Sequence, residues 1–291
     1  MTVARRHPAW IKVRAPGGGD YAATKATIRD LELHTVCEEA RCPNLAECWA
    51  HRTATFMLMG DVCTRNCGYC AVAHGRPAPL DAAEPLRVAE GAARLGLRHV
   101  VITSVDRDDL PDGGAAHFAA TARAVKDRLP ACTLEVLTPD FQGDVRSVYV
   151  VVDAPVDVFN HNTETVPRLY KRSRPGGRYD RTLRVLEEAK LRRRPILTKT
   201  GLMLGLGETH SEVEEVLRDL VDVGCDIVTL GQYLQPTRAH LPVDRYVAPE
   251  EFNELGALAR GMGFRHVESG PLVRSSYHAW EHVAAPQQTS V

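Results

Sequence analysis

"ATFMLMGDVCTRNCGYC", residues 54–70, joins an apolar run of strand length to a loop that carries Cys63, Cys67 and Cys70 at C-x3-C-x2-C spacing. The first half, "ATFMLMG" (54–60), shows no alternation of polar and apolar residues, so it reads as a strand buried on both faces, as in a parallel sheet. Five further runs of this kind follow: "HVVITSV" (99–105), "LEVLTPD" (134–140), "VDVFNHN" (156–162), "ILTKTGLMLGL" (196–206) and "CDIVTLGQYL" (225–234). Segments of helical periodicity separate them at 84–96, 113–129, 165–192, 211–224 and 248–263, several stopping at a glycine as a C-cap does. Between the third and fourth runs, "DVRSVYVVVD" (144–153) is compatible with a short helix. Six strands alternating with helices predict an α/β chain, a partial (β/α)6 TIM-type barrel with extensions at both ends.

Composition sets outer bounds. The chain has 291 residues, 44% apolar and 25% charged, enough to bury one large core. Lys plus Arg number 36 against 37 for Asp plus Glu, so no global field draws the chain to nucleic acid or an anionic membrane. No apolar stretch has the length of a membrane span, and "MTVARRHPAWIKVRAPGGGD" (1–20) lacks the apolar region and cleavage site of a signal peptide. The expected location is cytoplasmic, a reducing compartment.

Cysteine placement carries more information than cysteine number. Six of the eight, Cys37, Cys42, Cys48, Cys63, Cys67 and Cys70, fall between residues 37 and 70, whereas Cys132 and Cys225 stand apart beside strands as small buried residues. Dense cysteines in a reducing compartment point to metal rather than disulfides. In a barrel the loops at the C-terminal strand ends carry the chemistry. The triplet 63–70 occupies that position after the first strand, in company with Ser104, Asp106, Asp108, Asp109, Asp140, Asn160, His161, Asn162, Lys199, Gln232 and Gln235 at the other five. Structural zinc takes four protein ligands, and a zinc held by three thiolates alone is unusual. A 4Fe-4S cluster held by three cysteines keeps one iron open to a further ligand.

C-x3-C-x2-C ending in Tyr69-Cys70 resembles the signature of the radical S-adenosylmethionine superfamily. There, the resemblance implies, the open iron binds the methionine moiety and an electron from the cluster cleaves the sulfonium to a 5'-deoxyadenosyl radical. Upstream, "TVCEEARCPNLAECW" (35–49) supplies Cys37, Cys42 and Cys48 at C-x4-C-x5-C. The two trios together resemble the arrangement of lipoyl synthases, and the resemblance continues through "VITSVDRDDLPDGGA", "LEVLTPDFQGD", "VFNHNTETVPRLYKRSRPG", "LMLGLGET", "DIVTLGQYLQPT" and "GPLVRSSYHA", over roughly residues 30–280. A biotin-synthase-like sulfur-inserting enzyme is the second reading, which the upstream trio disfavours; a zinc-stabilised binding module is the third.

Several assignments follow from this resemblance. Cys63, Cys67 and Cys70 match the ligands of the S-adenosylmethionine cluster, and Cys37, Cys42 and Cys48 those of an auxiliary 4Fe-4S cluster. The auxiliary site's further ligand is open on spacing alone among His34, His51 and water; the resemblance implies a serine of Arg274-Ser275-Ser276-Tyr277, and Ser276 is chosen over Ser275. Tyr69, Ser104, Asp106, Asp109, Asn160 and Asn162 are the candidates for holding S-adenosylmethionine. The implied division is an N-terminal extension with auxiliary cysteines (1–53), a radical barrel (54–264) and a C-terminal extension with the RSSY motif and a flexible tail (265–291).

The implied reaction inserts sulfur at C6 and C8 of an octanoyl chain in amide linkage to a lysine, with the auxiliary cluster as sulfur donor. Such C–H bonds are not acidic, so a carbon radical rather than an acid or base must break them. Implied partners are octanoylated lipoyl carriers (the glycine-cleavage H protein and E2 subunits of 2-oxoacid dehydrogenases), an electron donor such as flavodoxin or ferredoxin, and a carrier that rebuilds the consumed cluster. Neither nucleic acid nor membrane is expected.

The remaining motifs are less specific. The basic stretches "RLYKRSRPGGR" (168–178) and "KLRRRP" (190–195) are solvated helix faces or a docking surface for an acidic carrier domain. "GLGET" (205–209) lacks G-x-G-x-x-G and reads as a close-packed turn with Thr209 or Ser211 capping the next helix. "PGGG" (16–19) is expected to break any element in the first 24 or so residues, Trp10 is a candidate to pack on the barrel or a partner, and the chain after Trp280 reads as a frayed tail.

Overall fold

A computed structural model describes residues 7–13, 17–51, 54–193 and 195–282. Among them, parallel strands β1 (Thr55–Leu58), β2 (His99–Ser104), β3 (Thr133–Leu137), β4 (Val158–Asn160), β5 (Leu197–Leu204), β6 (Ile227–Gln232) and β7 (His266–Gly270) form one sheet in chain order. A two-residue strand, His34–Thr35, pairs antiparallel with β1 at its outer edge. Helices α1 (Glu84–Arg94), α2 (Ala115–Arg128), α3 (Val145–Val152), α4 (Tyr179–Arg192), α5 (His210–Asp222) and α6 (Pro249–Met262) connect the strands.

The apolar runs became strands, β3 starting one residue before its run. The sheet nevertheless has one more parallel strand than the six expected: residues 266–270 belong to it, pairing Val267 with Val228 and Glu268 with Thr229. Only Val267 of β7 is buried, so this edge strand carries no apolar run. The segment at 144–153 resolves as α3, whose N-terminus is capped by Asp144 accepting from the Arg146 amide. Thr209 is the cap of α5, in a capping box with Glu212. Gly263 closes α6 in the left-handed region at φ 103°.

A helix at Gly19–Asp30 departs from the expectation that "PGGG" breaks the chain well beyond it: Gly18, at φ 99°, is the turn, and the helix starts at the next residue. Its sequence is mostly polar, with only Thr24 and Ile28 buried, so its periodicity is faint. It is held by Tyr21 against Trp49 and by the Thr24 hydroxyl donating to the Trp49 carbonyl at 3.1 Å. Trp10 is 43% exposed. Most of the expected tail lies outside the described residues. No described helix is long and apolar enough to cross a membrane.

Two apolar clusters fill the interior. One packs β1–β4 against α1–α3, the other β5–β7 against α5 and α6, and α4 feeds both, through Val185 and Ala189 into the first and Leu186 into the second. Full burial of side chains such as Ile102, Leu134 or Leu186 stabilises by about 1.5–3 kcal/mol each.

Inside the sheet lies an ionic network. Lys199 donates to both oxygens of Glu135 at 2.9 Å, Asn160 donates to the same carboxylate at 2.8 Å, and His99 stands 3.7 Å away. Burial works to raise the Glu135 carboxyl, but Lys199 and His99 outweigh it and hold it down at about 2. A carboxyl depressed in the fold stabilises above its ordinary value, 4.5, and that contribution fades as pH falls toward 2. Glu135→Gln is therefore expected to cost about 3–5 kcal/mol at neutral pH, because Lys199 stays buried without its counter-charge. Urea unfolding of the apoprotein checks this, and a change below about 1 kcal/mol would rule out an ionised pair.

Candidate functional site

The cysteine loop is fastened to the ends of β2 and β3. Val62–Cys63 pairs with Ala73–His74 as a two-residue parallel ladder, and the Gly75 amide donates to the Cys63 carbonyl at 2.9 Å, closing the loop on itself. Thr64 bonds the Asp106 carbonyl through both its amide (3.0 Å) and its hydroxyl (2.9 Å). Arg65 is buried and grips Asp108 through two hydrogen bonds of 2.7 and 2.8 Å, with a third to Asp140 at 2.6 Å. Burial disfavours this guanidinium's charge, yet Asp108, Asp106 and Asp140 more than offset that and keep it charged. The amides of Arg65 and Asp106 point at the Cys63 sulfur from 3.4 and 3.3 Å.

The second trio is held by short helices. Cys37 lies in Val36–Glu39, capped by Thr35, and Cys48 lies in Leu45–Ala50; between them the Cys42 amide donates to the Cys37 carbonyl at 3.0 Å. The C-terminal segment docks on this unit. Asn44 donates to the Leu272 carbonyl at 2.7 Å, and the Tyr277 hydroxyl to Glu47 at 3.2 Å. Arg274 stands beside Cys42, the one group that favours its charge against burial. Gly231 on β6 allows this approach: a Cβ there would lie 2.1 Å from the Val273 carbonyl oxygen.

These pieces meet around one cavity of about 520 Å3. Its wall includes all six clustered cysteines, Ser275, Ser276, Tyr69, Ser104, Asp106, Asn162, Glu164 and Arg174, together with apolar Met57, Val101, Leu137 and Met203. Ser104 Oγ, Asp106 Oδ1 and Asn162 Oδ1 in this wall are buried without a hydrogen-bond partner. Of the three, Asp106 Oδ1 has Arg65 near it, at 3.6 Å, and all three have lone pairs able to accept from a donor-bearing ligand. Burial pushes the Cys63 thiol up to about 11 and Cys67 to about 12, and raises Cys37, Cys42 and Cys70 as well. Such thiols stay protonated at neutral pH until a metal takes the proton's place. Burial also raises Asp106, against the pull of Arg65 and Arg174, and Glu164, against that of Arg174. Among the described residues no three His, Cys, Asp or Glu side chains are gathered tightly enough for a single ion.

The structure separates the strand-end residues expected to converge. Ser104, Asp106, Asn162, Gln232, Gln235 and Tyr69 line the cavity. Two candidate ligands of S-adenosylmethionine do not. Asp109 turns away to Arg107, with two hydrogen bonds of 2.8 Å, and Asn160 is fully buried against Glu135 in the network above. Lys199 belongs to that same network, His161 is buried between the Thr138 carbonyl and Thr182, and Asp108 and Asp140 hold Arg65. The cavity also gains residues not singled out from sequence. Glu164, at φ 69°, donates and accepts backbone bonds to β5 and receives the Asn162 side chain at 3.1 Å; its place two residues past Asn162 was its one signal. Arg274 was visible only as part of its motif.

The basic stretches are largely neutralised. Arg168 pairs with Glu212, Arg178 with Asp180, Lys190 with Asp226 and Arg192 with Asp153, while Arg174 is buried in the cavity wall and donates to the Asn162 carbonyl at 2.7 Å. The second stretch thus fixes α4 to its neighbours, and the first leaves only part of its charge to solvent.

Comparison with known proteins agrees with this arrangement. The family model described as the radical SAM superfamily matches residues 57–220, and one described as the N-terminal domain of lipoyl synthase of the radical SAM family matches residues 2–42. The chain is 58% identical over 274 residues to lipoyl synthase of Rubrobacter xylanophilus, covering 94% of this chain and 85% of that one. It is 59% identical over 280 residues to lipoyl synthase of Methylococcus capsulatus, covering 96% and 87%. Among solved structures, HydG, a maturase of the FeFe hydrogenase, superposes with a TM-score of 0.57 at 14% identity, over 78% of this chain and 61% of that one, a likeness of fold alone. Relatives this similar over nearly the whole of both chains, with both family models matched, mean that the chain belongs to the lipoyl synthase family of the radical SAM superfamily.

Proposed function

We propose that the two trios are the two working sites of one reaction, Cys63, Cys67 and Cys70 holding the cluster that binds S-adenosylmethionine, and Cys37, Cys42 and Cys48 holding an auxiliary 4Fe-4S cluster. The family's reaction inserts sulfur into an octanoyl chain carried on a protein lysine, and its members use a 4Fe-4S cluster with S-adenosylmethionine. The observation that carries the division of labour is the shared cavity, whose wall contains both trios. The donor set fits: soft thiols suit iron–sulfur clusters, and Ser104, Asp106 and Asn162 offer acceptors matched to the ammonium and ribose hydroxyls of S-adenosylmethionine. When bound, these groups supply the electron, the hydrogen-abstracting carbon radical and the sulfur.

The chain's own residues do the rest. Arg65, tied to three carboxylates, fixes the cysteine loop against β2 and β3. Met57, Val101, Leu137 and Met203 give the octanoyl chain an apolar path and exclude water that would quench a radical. Ser276 is the proposed oxygen ligand of the auxiliary site. Asn162 donates to the Ser275 hydroxyl at 2.9 Å, whereas the Ser276 side chain makes no hydrogen bond among the described residues. Ser276 would hold the auxiliary cluster through a hard oxygen among soft thiolates, the weaker bond of that donor set. Octanoylated H protein and E2 subunits are the proposed substrates, flavodoxin or ferredoxin the electron donor, a cluster carrier the means of repair, and the cytoplasm the location, which suits eight free cysteines.

The test is an anaerobic assay with an octanoyl-lysine peptide, S-adenosylmethionine and dithionite, following 5'-deoxyadenosine and sulfur-containing peptide separately. Ser276→Ala is expected to keep 5'-deoxyadenosine formation within a few-fold and to cut sulfur insertion by roughly 100-fold, at least the upper end of what losing an outer-shell partner of a ligand costs. Ser275→Ala should lower both products alike through Asn162, by less than about 10-fold. The reverse pattern would move the ligand to Ser275.

A further inference from the structure

The tip of the cysteine loop is gripped from two sides. The Gly68 amide donates to the Ser173 carbonyl at 2.9 Å, and the Gly68 carbonyl accepts from the Leu241 amide at 2.8 Å. His240 Nε2 meets the Cys70 carbonyl at 2.9 Å, its other ring nitrogen meeting the Thr237 hydroxyl at 2.8 Å. Leu241 lies so close over Gly68 that a Cβ there would stand 2.9 Å from its Cγ. Both gripping segments carry exposed cations at this point: Lys171 and Arg172 directly before Ser173, and Arg238 two residues before His240. Neighbouring arginines on the same run are neutralised, Arg168 by Glu212 and Arg178 by Asp180. Lys171, Arg172 and Arg238 make no ion pair among the described residues and do not line the cavity.

Three exposed cations with no ion pair among the described residues, on two segments distant in sequence that both bond Gly68, make this face of the loop positive on a chain whose net charge is only -1. We propose that Lys171, Arg172 and Arg238 around Gly68 are the docking surface of an acidic one-electron carrier protein. This rests on reading Cys63, Cys67 and Cys70 as the redox site. Each S-adenosylmethionine cleaved, one for each of the two C–H bonds, needs one electron there: the carrier is oxidised by one electron, and the carbon–sulfur bond of the sulfonium takes it, giving methionine and a carbon radical. Tunnelling falls steeply with distance, so the carrier must sit against the loop. The octanoyl chain has the opposite requirement, since it must enter the cavity, whose wall these three residues do not form.

The test compares two reductants on the full protein carrying its clusters. The variant Lys171→Glu/Arg172→Glu/Arg238→Glu is assayed for 5'-deoxyadenosine formation with reduced flavodoxin and, separately, with dithionite, each with an octanoyl-lysine peptide. The expected result is a fall of tenfold or more with flavodoxin, deepest at low salt, and a rate within about twofold of wild type with dithionite. An unchanged flavodoxin rate overturns the docking surface while leaving the redox site intact. Loss with both reductants overturns it too, because the cations then serve the loop itself. No dithionite activity in the wild type removes the redox reading on which the surface depends. If flavodoxin acts normally on the peptide but the variant fails with an octanoylated carrier domain, the surface belongs to the substrate protein and the proposal is wrong.

Discussion

Replacing Cys63, Cys67 and Cys70 together by alanine is expected to lower iron from about eight to about four per chain after anaerobic reconstitution, and to abolish 5'-deoxyadenosine formation. The reasoning starts from the separation of the two trios. Cys63 sits on a closed two-residue ladder fixed by Thr64 and Arg65 to β2 and β3, whereas Cys37 and Cys48 sit on short helices fixed by Thr35, Trp49 and the N-terminal helix. The two scaffolds share a cavity and no ligand, so emptying one leaves the other's thiols in place. The complementary replacement of Cys37, Cys42 and Cys48 should also leave about four iron but retain cleavage of S-adenosylmethionine, with no sulfur reaching the peptide. Iron falling to zero in either variant would mean that the trios build a single site. Zinc in place of iron would sink the radical chemistry.

The strand-and-loop order of this chain was legible because doubly covered strands are written as continuous apolar runs. "HVVITSV" and "CDIVTLGQYL" could hardly be anything else. Legibility failed where burial is partial. β7, with one buried residue, and the helix Gly19–Asp30, with two, are stabilised by neighbours rather than by their own pattern. The same contrast governs the site. Cysteine spacing is itself a signal, since three thiols on one short loop stay near one another whatever the rest of the chain does. A polar side chain at a strand end carries no such instruction: Asn160 and Asn162 lie two residues apart, yet one holds Glu135 inside the sheet and the other lines the cavity. Which of the two happens depends on partners such as Lys199, over 30 residues away in sequence, and periodicity cannot register them.

Gly231→Ala is expected to separate the two halves of the reaction without touching a cysteine. The added Cβ would stand 2.1 Å from the Val273 carbonyl oxygen and 3.0 Å from its carbon, and both belong to backbone that cannot rotate away. Val273 is anchored by its amide to the Gly270 carbonyl at the end of β7, so the strain passes to the residues that follow, Arg274 to Tyr277. Displacing them withdraws Arg274 from Cys42 and Ser276 from the cavity wall, and leaves the loop 63–70, Ser104 and Asp106 where they are. A displacement of about 1 Å at a reacting centre costs on the order of 100-fold. Sulfur insertion should therefore fall by about that factor, while 5'-deoxyadenosine formation falls no further than in Ser275→Ala, by less than about 10-fold, through the Asn162 contact of Ser275. Gly201→Ala is the opposite perturbation. Its Cβ would meet Thr229 Oγ1 at 2.8 Å, Asn162 Oδ1 at 3.0 Å and Ser275 Oγ at 3.3 Å, and the Asn162 oxygen is one of the acceptors proposed for S-adenosylmethionine. That variant should lose 5'-deoxyadenosine formation first, read as a rise in KM for S-adenosylmethionine, with auxiliary iron retained. Equal loss of both products in the two variants would show that the cavity behaves as one undivided site, and a wild-type rate of sulfur insertion in Gly231→Ala would show that the C-terminal segment need not lie against β6 for sulfur to be transferred.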